Sequence, residues 1–261
     1  MEVHHHAHHD RKTWKSYVWE FLMLFFAVFC GFLAEYQLEH KIEKDRTEEL
    51  AKSFYQELKN DSITAELKVK NRLKQEAALD YMINFFRDSS FENLSKQFQI
   101  NFEYGINFRS PIIFEPRTII LDQLRNSGSL RYFKNEKLQQ LAGELSVAIK
   151  TILERQQLED IIRKEHVTPY HIQLNDQVFD NEMRRRNESF IEAIAVYEKS
   201  SDYFPFYIDK NEIIDRKKII KGLHYHKTSG LMSTRRIHFK NYQQINAQLL
   251  QILREEFNIK D

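Results

Sequence analysis

Glycine and proline are scarce. Six glycines and four prolines in 261 residues make about 4% of the chain, against roughly 12% in average usage. Sheet-rich folds place these residues at many turns, so a chain this poor in both is predicted to be mostly long helix. The single cysteine, Cys30, allows no intrachain disulfide and excludes a cysteine-based zinc site. A surplus of one charge is lacking as well. With 39 Lys and Arg against 38 Asp and Glu, the chain does not read as a dedicated nucleic-acid binder, and no nucleic-acid partner is expected. The isolated glycines build no phosphate-cradling loop. There is no G-x-S-x-G and no H-E-x-x-H, and the Glu-x-x-His spacing of di-iron bundles occurs only at Glu2 and His5. No catalytic constellation emerges, so neither an enzyme nor a cofactor is expected.

What the chain does have is one long apolar run. Tyr17 to Ala34 reads YVWEFLMLFFAVFCGFLA, with Glu20 as its only charge. A membrane span needs about 20 mostly apolar residues. Trp14, Tyr17 and Trp19 at one end and Tyr36 at the other suit the two interfacial belts. The pattern predicts a transmembrane helix over 15–36. A cleaved signal peptide is the alternative, but a cut after Ala34 would put bulky Phe32 where a small residue is wanted. Arg11, Lys12 and Lys15 flank one end, and Lys41, Lys44, Arg46 and Lys52 follow the other. The basic flanks nearly balance. A short basic tail before a first span usually stays inside, which predicts a cytoplasmic N-terminus and an external, periplasm-like domain.

Glu20, Leu24, Ala27, Gly31 and Ala34 recur every three to four residues and share one side of this helix. Ala27 and Gly31 form a small-xxx-small pair, which lets two membrane helices approach closely. A carboxyl such as Glu20 in this position is costly unless paired or wet. The side therefore reads as a helix–helix interface, or else as Glu20 reaching the headgroups beside incidental small residues.

The chain opens MEVHHHAHHD. His4, His5, His6, His8 and His9 are weak candidates for nickel, copper or zinc, and a solvated tail that gains charge as pH falls is the plainer reading. Beyond the span, 37–60 reads as a charged stalk helix and 61–261 as a helical bundle. Leu50, Phe54, Leu58, Ile63, Leu67, Leu73 and Ala77 suggest the inner stripe of the first helix, which ends in a dense patch at Tyr81, Met82, Phe85 and Phe86. Asn60-Asp61-Ser62 could cap a new helix or bend the old one, and a fold-back is expected. Segments near 89–116 and 169–187 read as irregular. Glu115-Pro116 suggests a helix start, Ser127-Gly128-Ser129 a stop, and Asn135 the cap of an amphipathic helix of about 30 residues. Helices are predicted at 188–201, 209–222 and from about Gly230 to Phe257.

One window is acid-free. From Arg216 to Arg254 there is no Asp or Glu. The window holds Arg216, Lys217, Lys218, Lys221, Lys227, Arg235, Arg236, Lys240 and Arg254, with His224, His226 and His238. It could dock on anionic lipid headgroups, on an acidic partner, or on nucleic acid if the domain is cytoplasmic. The alternative is pairing with acids of other helices, such as Glu43–Glu49 or Glu154–Asp160. The three histidines are a remote metal candidate, and exposed histidines on a basic helix are the plainer reading.

Lys15, Tyr17, Glu20, Phe21, Leu22, Met23, Gly31, Phe32, Ala34 and Glu35 spell K-x-Y-x-x-E-F-L-M, then G-F-x-A-E. With the histidine tail before them, they resemble a group of bacterial single-pass membrane proteins that continue as a helical domain of unknown function. LDQLRNSGSLRYFKNEKL, Leu121–Leu138, is similar to a further element of that group. The resemblance implies a native histidine tail and places Glu20 within the anchor pattern. It implies no activity.

The fold class expected is all-α: one N-terminal transmembrane helix, then a long-helix bundle or coiled-coil-like extramembrane domain. The expected role is a membrane-anchored scaffold or protein-interaction module in contact with membrane lipid, with a protein partner or a second copy of itself. The alternative is a sensory module acting through a partner membrane protein.

Overall fold

Leu58, Ala65, Arg72, Leu79 and Phe86 are all buried, and they fall seven residues apart. Seven residues is close to two helical turns, so these positions share one face. They belong to a single α-helix, α1, Trp14–Asp88. The computed structural model describes residues 14–187, 189–209 and 212–259, and among these the chain is all-α without a strand. The cap or bend expected at Asn60-Asp61-Ser62 is absent, as is the fold-back. Thr64 donates its hydroxyl to the Asn60 carbonyl inside the helix, and Asp61 points inward. No glycine or proline occurs between Glu35 and Asp88 to interrupt it.

The chain divides into two units, Met1–Leu50 and Ala51–Asp261. In the first, the described residues are helical and no residue of the 18-residue apolar window is buried. This helix is long and apolar enough to cross a membrane. Its charged continuation carries pairs one turn apart, His40–Glu43 and Lys44–Glu48.

The second unit begins at Ala51 rather than at 61, because Ala51, Phe54, Tyr55 and Leu58 are core residues. Three long stretches frame it: α1 from Ala51, α4 (Glu136–His166) and the run 216–257. The last runs antiparallel to the other two. Arg254, Tyr242 and Lys227 meet Tyr55, Asp61 and Asp80 of α1 in turn. Arg155 meets Ser229, while Gly222 lies against His166. One end of the unit is closed by α3 (Ile119–Asn126) and a 3-10 turn at Ser129–Tyr132. The other is built on α2 (Lys96–Phe102), α5 (Thr168–Leu174), α6 (Gln177–Arg186) and α7 (Phe190–Lys199). There Phe98, Phe102, Phe179, Tyr197 and Phe206 pack with Met82 and Phe86.

Local sequence explains most boundaries. Ser95, Asn135, Asp176, Ser189 and Asp215 each cap a helix with a side-chain oxygen that accepts a backbone N–H. The segment 169–187, expected to be irregular, is therefore largely helical, while 89–116 mixes short helical turns with non-helical chain. Ser95 starts α2 within 89–116, and Pro169 sits harmlessly in the first turn of α5. The start expected at Glu115-Pro116 falls instead at Ile119. The run expected to begin near Gly230 continues from α8 (Arg216–Tyr225) through two π-helical turns, His226–Met232 and Thr234–Phe239, into α9 (Lys240–Phe257).

Two glycines are required by geometry. Gly128 has φ +69°, the left-handed turn that ends α3. At Gly222 a Cβ would lie 2.6 Å from the His166 carbonyl oxygen, so glycine is what lets α8 approach the end of α4. Gly222→Ala is expected to cost about 1–3 kcal/mol through overpacking. Thermal unfolding would register this as a fall of several degrees in Tm, and an unchanged Tm would refute the close approach.

Candidate functional site

At mid-length the three long stretches exchange apolar residues for polar ones. Arg72, Gln75 and Glu76 of α1, Glu159 of α4, and His226 and Thr234 of the π-helical turns are all buried. Arg72 grips Glu159 with two bonds of 2.7 and 3.0 Å and lays its guanidinium 4.7 Å from the Phe239 ring centre. Arg235 makes a second two-pronged pair with Glu76, 2.7 Å on each side. Gln75 donates to the Phe108 carbonyl at 2.9 Å.

Arg163 of α4 is engaged mainly by carbonyls, while Asp160 acts on it through space. It donates to the Ile106 and Asn107 carbonyls at 2.6 and 2.5 Å and to the Thr168 hydroxyl at 3.2 Å. Those two carbonyls belong to a π-helical turn, Glu103–Asn107. Such turns recur near functional sites. The Nε–H of Arg163 is buried without a protein partner, and so are both ring nitrogens of His226. Burial, and then the positive charges of Arg163 and Arg72, push the His226 imidazole down to about 3, which keeps it neutral.

His226 and Arg163 line a cleft of about 420 Å³ together with Arg109, Gln156, Asp160, Ile112 and Ile161. Asp160 is held by Arg109 at 3.0 Å and by Lys164 at 2.9 Å. A larger cleft of about 750 Å³ lies against the aromatic run, beside Phe91, Tyr203, Tyr207 and Arg216. Two of its polar groups are engaged: Tyr203 donates to the Leu94 carbonyl and Arg216 to that of Phe86.

A second polar group sits nearer the first end. Glu57 accepts from the Ile120 and Leu121 N–H groups, and Asp61 accepts from Arg117 N–H at 2.7 Å. Burial, reinforced by the Glu57 charge, pushes Asp61 up to about 6. These bonds satisfy donors at the start of α3 and read as structural.

The residues picked out from sequence are dispersed. Leu24, Ala27, Gly31 and Ala34 are exposed on the apolar helix, Glu20 is half-buried, and a Cβ at Gly31 would meet open space. His4, His5, His6, His8 and His9 lie outside the described residues. The acid-free window divides by depth. Lys217, Lys218, Lys221, Arg236 and Lys240 are exposed. Lys227 pairs with Asp80 and Arg235 with Glu76, acids of α1 that lie further along that helix than Glu43–Glu49. Arg216 lies over the Phe91 ring. His224 and His226 stand on helix, and no metal-holding group of three His, Cys, Asp or Glu occurs among the described residues.

What fold and site define is an all-α protein with one helix able to cross a membrane and a separate helical unit crossed by a buried polar belt. Compared with protein-family models, with curated proteins and with solved structures, the chain matches none.

Proposed function

We propose that this protein is a single-pass membrane protein of the bacterial inner membrane whose helical unit serves as an anchored scaffold or interaction module. The observation that carries the reading is the contrast between the units. One exposes Phe21, Leu24, Phe25, Phe29 and Phe32 along a helix, while the other folds around its own core. A side-chain set of that kind is stable in lipid, where an α-helix satisfies its own backbone. The N-terminus is assigned to the cytoplasm and the helical unit to the periplasm. The Glu20, Leu24, Ala27, Gly31 and Ala34 side is assigned to contact with a second membrane helix. The reading includes no catalytic step.

Alkaline extraction of membranes tests the anchor. The full chain is expected to stay with the lipid pellet, and residues 51–261 expressed alone to remain in the supernatant. Release of the full chain by alkali would overturn the reading. A cysteine placed at Ser201, which is exposed, is expected to react with an impermeant maleimide in intact cells.

A sensory module acting through a partner membrane protein is the second reading. It is favoured by the cleft at His226, because a scaffold has no need of unpartnered buried donors.

A further inference from the structure

The larger cleft, beside the aromatic run, carries both signs of charge, and they do not meet. Arg216 is half-buried, donates to the Phe86 carbonyl at 3.3 Å and lies 4.3 Å from the Phe91 ring centre. No carboxylate pairs with it among the described residues, and its remaining guanidinium nitrogens are not buried. Three acids share the lining, Glu92, Asp209 and Glu212. Asp209 is already engaged, and Glu212 accepts from the Gln173 amide at 2.7 Å. Glu92 is exposed, and among the described residues only its backbone is bonded, its N–H going to the Ser90 hydroxyl. The rings beside these charges stand on a pinned segment. Tyr203 is 52% exposed although its hydroxyl is tied to the Leu94 carbonyl, and Tyr207 is 70% exposed although Asp176 holds its backbone N–H. Open rings held in this way are suited to stack on a flat apolar group. The volume, about 750 Å³, lies within the usual range for small-molecule sites.

We infer that this cleft binds a free amino acid with an aromatic side chain, its carboxylate on Arg216, its ammonium on Glu92 and its ring against Tyr203 and Tyr207. The guanidinium fork matches a carboxylate, and its stacking on Phe91 orients it beforehand. A ligand with a single charge would satisfy one side of the cleft and face its own sign on the other. A zwitterion meets both. The inference rests on neither functional reading above, since every group it uses lies in the 51–261 unit.

The test uses the full chain in lipid nanodiscs with three probes: phenylalanine, 3-phenylpropionate, which lacks the ammonium, and 2-phenylethylamine, which lacks the carboxylate. Phenylalanine is expected to raise Tm with concentration, as a ligand of the folded state must, and to shift the ring resonances of Tyr203 and Tyr207. Each single-charge probe is expected to bind about 10-fold more weakly, the loss of one hydrogen bond to a charged group. Glu92→Gln, at an exposed position, is expected to bring phenylalanine down to the level of 3-phenylpropionate, and Arg216→Gln to that of 2-phenylethylamine. A general loss of folding would not change the order of preference in this way. The inference is overturned if either single-charge probe matches phenylalanine on the unsubstituted chain, if Glu92→Gln folds and keeps the full preference, or if phenylalanine leaves Tm and both rings unmoved.

Discussion

Arg72→Met is expected to cost about 3–5 kcal/mol, and Arg72→Met combined with Glu159→Leu to restore most or all of that loss. The single change removes a guanidinium that is 0% exposed and leaves the Glu159 carboxylate, 6% exposed, without its two donors. A buried charge stripped of its partner pays the full desolvation penalty. The double change removes both charges and fills their place with hydrocarbon beside Phe239, where the guanidinium now stacks. For a unit of this size the single variant should lose roughly 10 °C in Tm. Urea unfolding of the two singles and the double gives the coupling energy directly. A single-variant loss under about 1 kcal/mol would mean that the pair is wet and weak.

Glu103→Gln is expected to flatten part of the pH dependence of stability and to be the more stable form in alkali. Glu103 is wholly buried in the π-helical turn. Its Oε2 accepts from Asn107 Nδ2 at 2.6 Å, and its Oε1 has no protein partner. Burial pushes the carboxyl up to about 8, against the Asn107 bond, while Asp180 raises it and Arg184 lowers it. The folded chain therefore keeps a proton that the unfolded chain releases near 4.5. That contribution is fully present below about 4.5 and is lost as pH rises through about 8, on the order of 3–5 kcal/mol in all. Glutamine keeps the shape of the neutral acid and has no such window. The comparison with wild type cancels the other titrations: Asp61, which acts in the same direction over about 4 to 6, and His226, whose contribution is lost as pH falls below 6.5. Parallel stability curves for the two proteins would show that Glu103 is ionised and solvated.

The helical class was legible in the sequence because glycine scarcity and regular apolar spacing are local properties. Asn135 as a cap, the stop at Gly128 and the apolar helix were legible for the same reason. The inner face of α1 was not. Apolar spacing favours Ile63, Leu67 and Leu73, yet Ile63 and Leu67 are 62% and 53% exposed, while Asp61, Arg72 and Gln75 are buried. Periodicity finds a buried face by its hydrophobicity, and it fails where that face is polar. The signal was present in another form. Arg72 interrupts an otherwise apolar seven-residue series of Leu58, Ala65, Leu79 and Phe86, and a charge in such a series invites the search for a partner. Its partner Glu159 lies 87 positions away, beyond the reach of any local pattern. The His226 cleft was missed likewise. Its residues come from the Arg109 loop, α4 and a π-helical turn, and only tertiary packing assembles them.

The seven-residue series has a further consequence. Were it apolar throughout, α1 would be nearly self-similar under a shift of seven residues, about 10 Å along its axis. A slipped chain would match hydrocarbon to hydrocarbon almost as well as the native alignment does. Arg72 removes that translational degeneracy, since any slip carries its charge into a layer without Glu159. The belt thus acts as a registration mark for the helices. A variant that erases it can gain in melting temperature while losing its single, well-defined arrangement, a loss that broadened amide resonances would reveal.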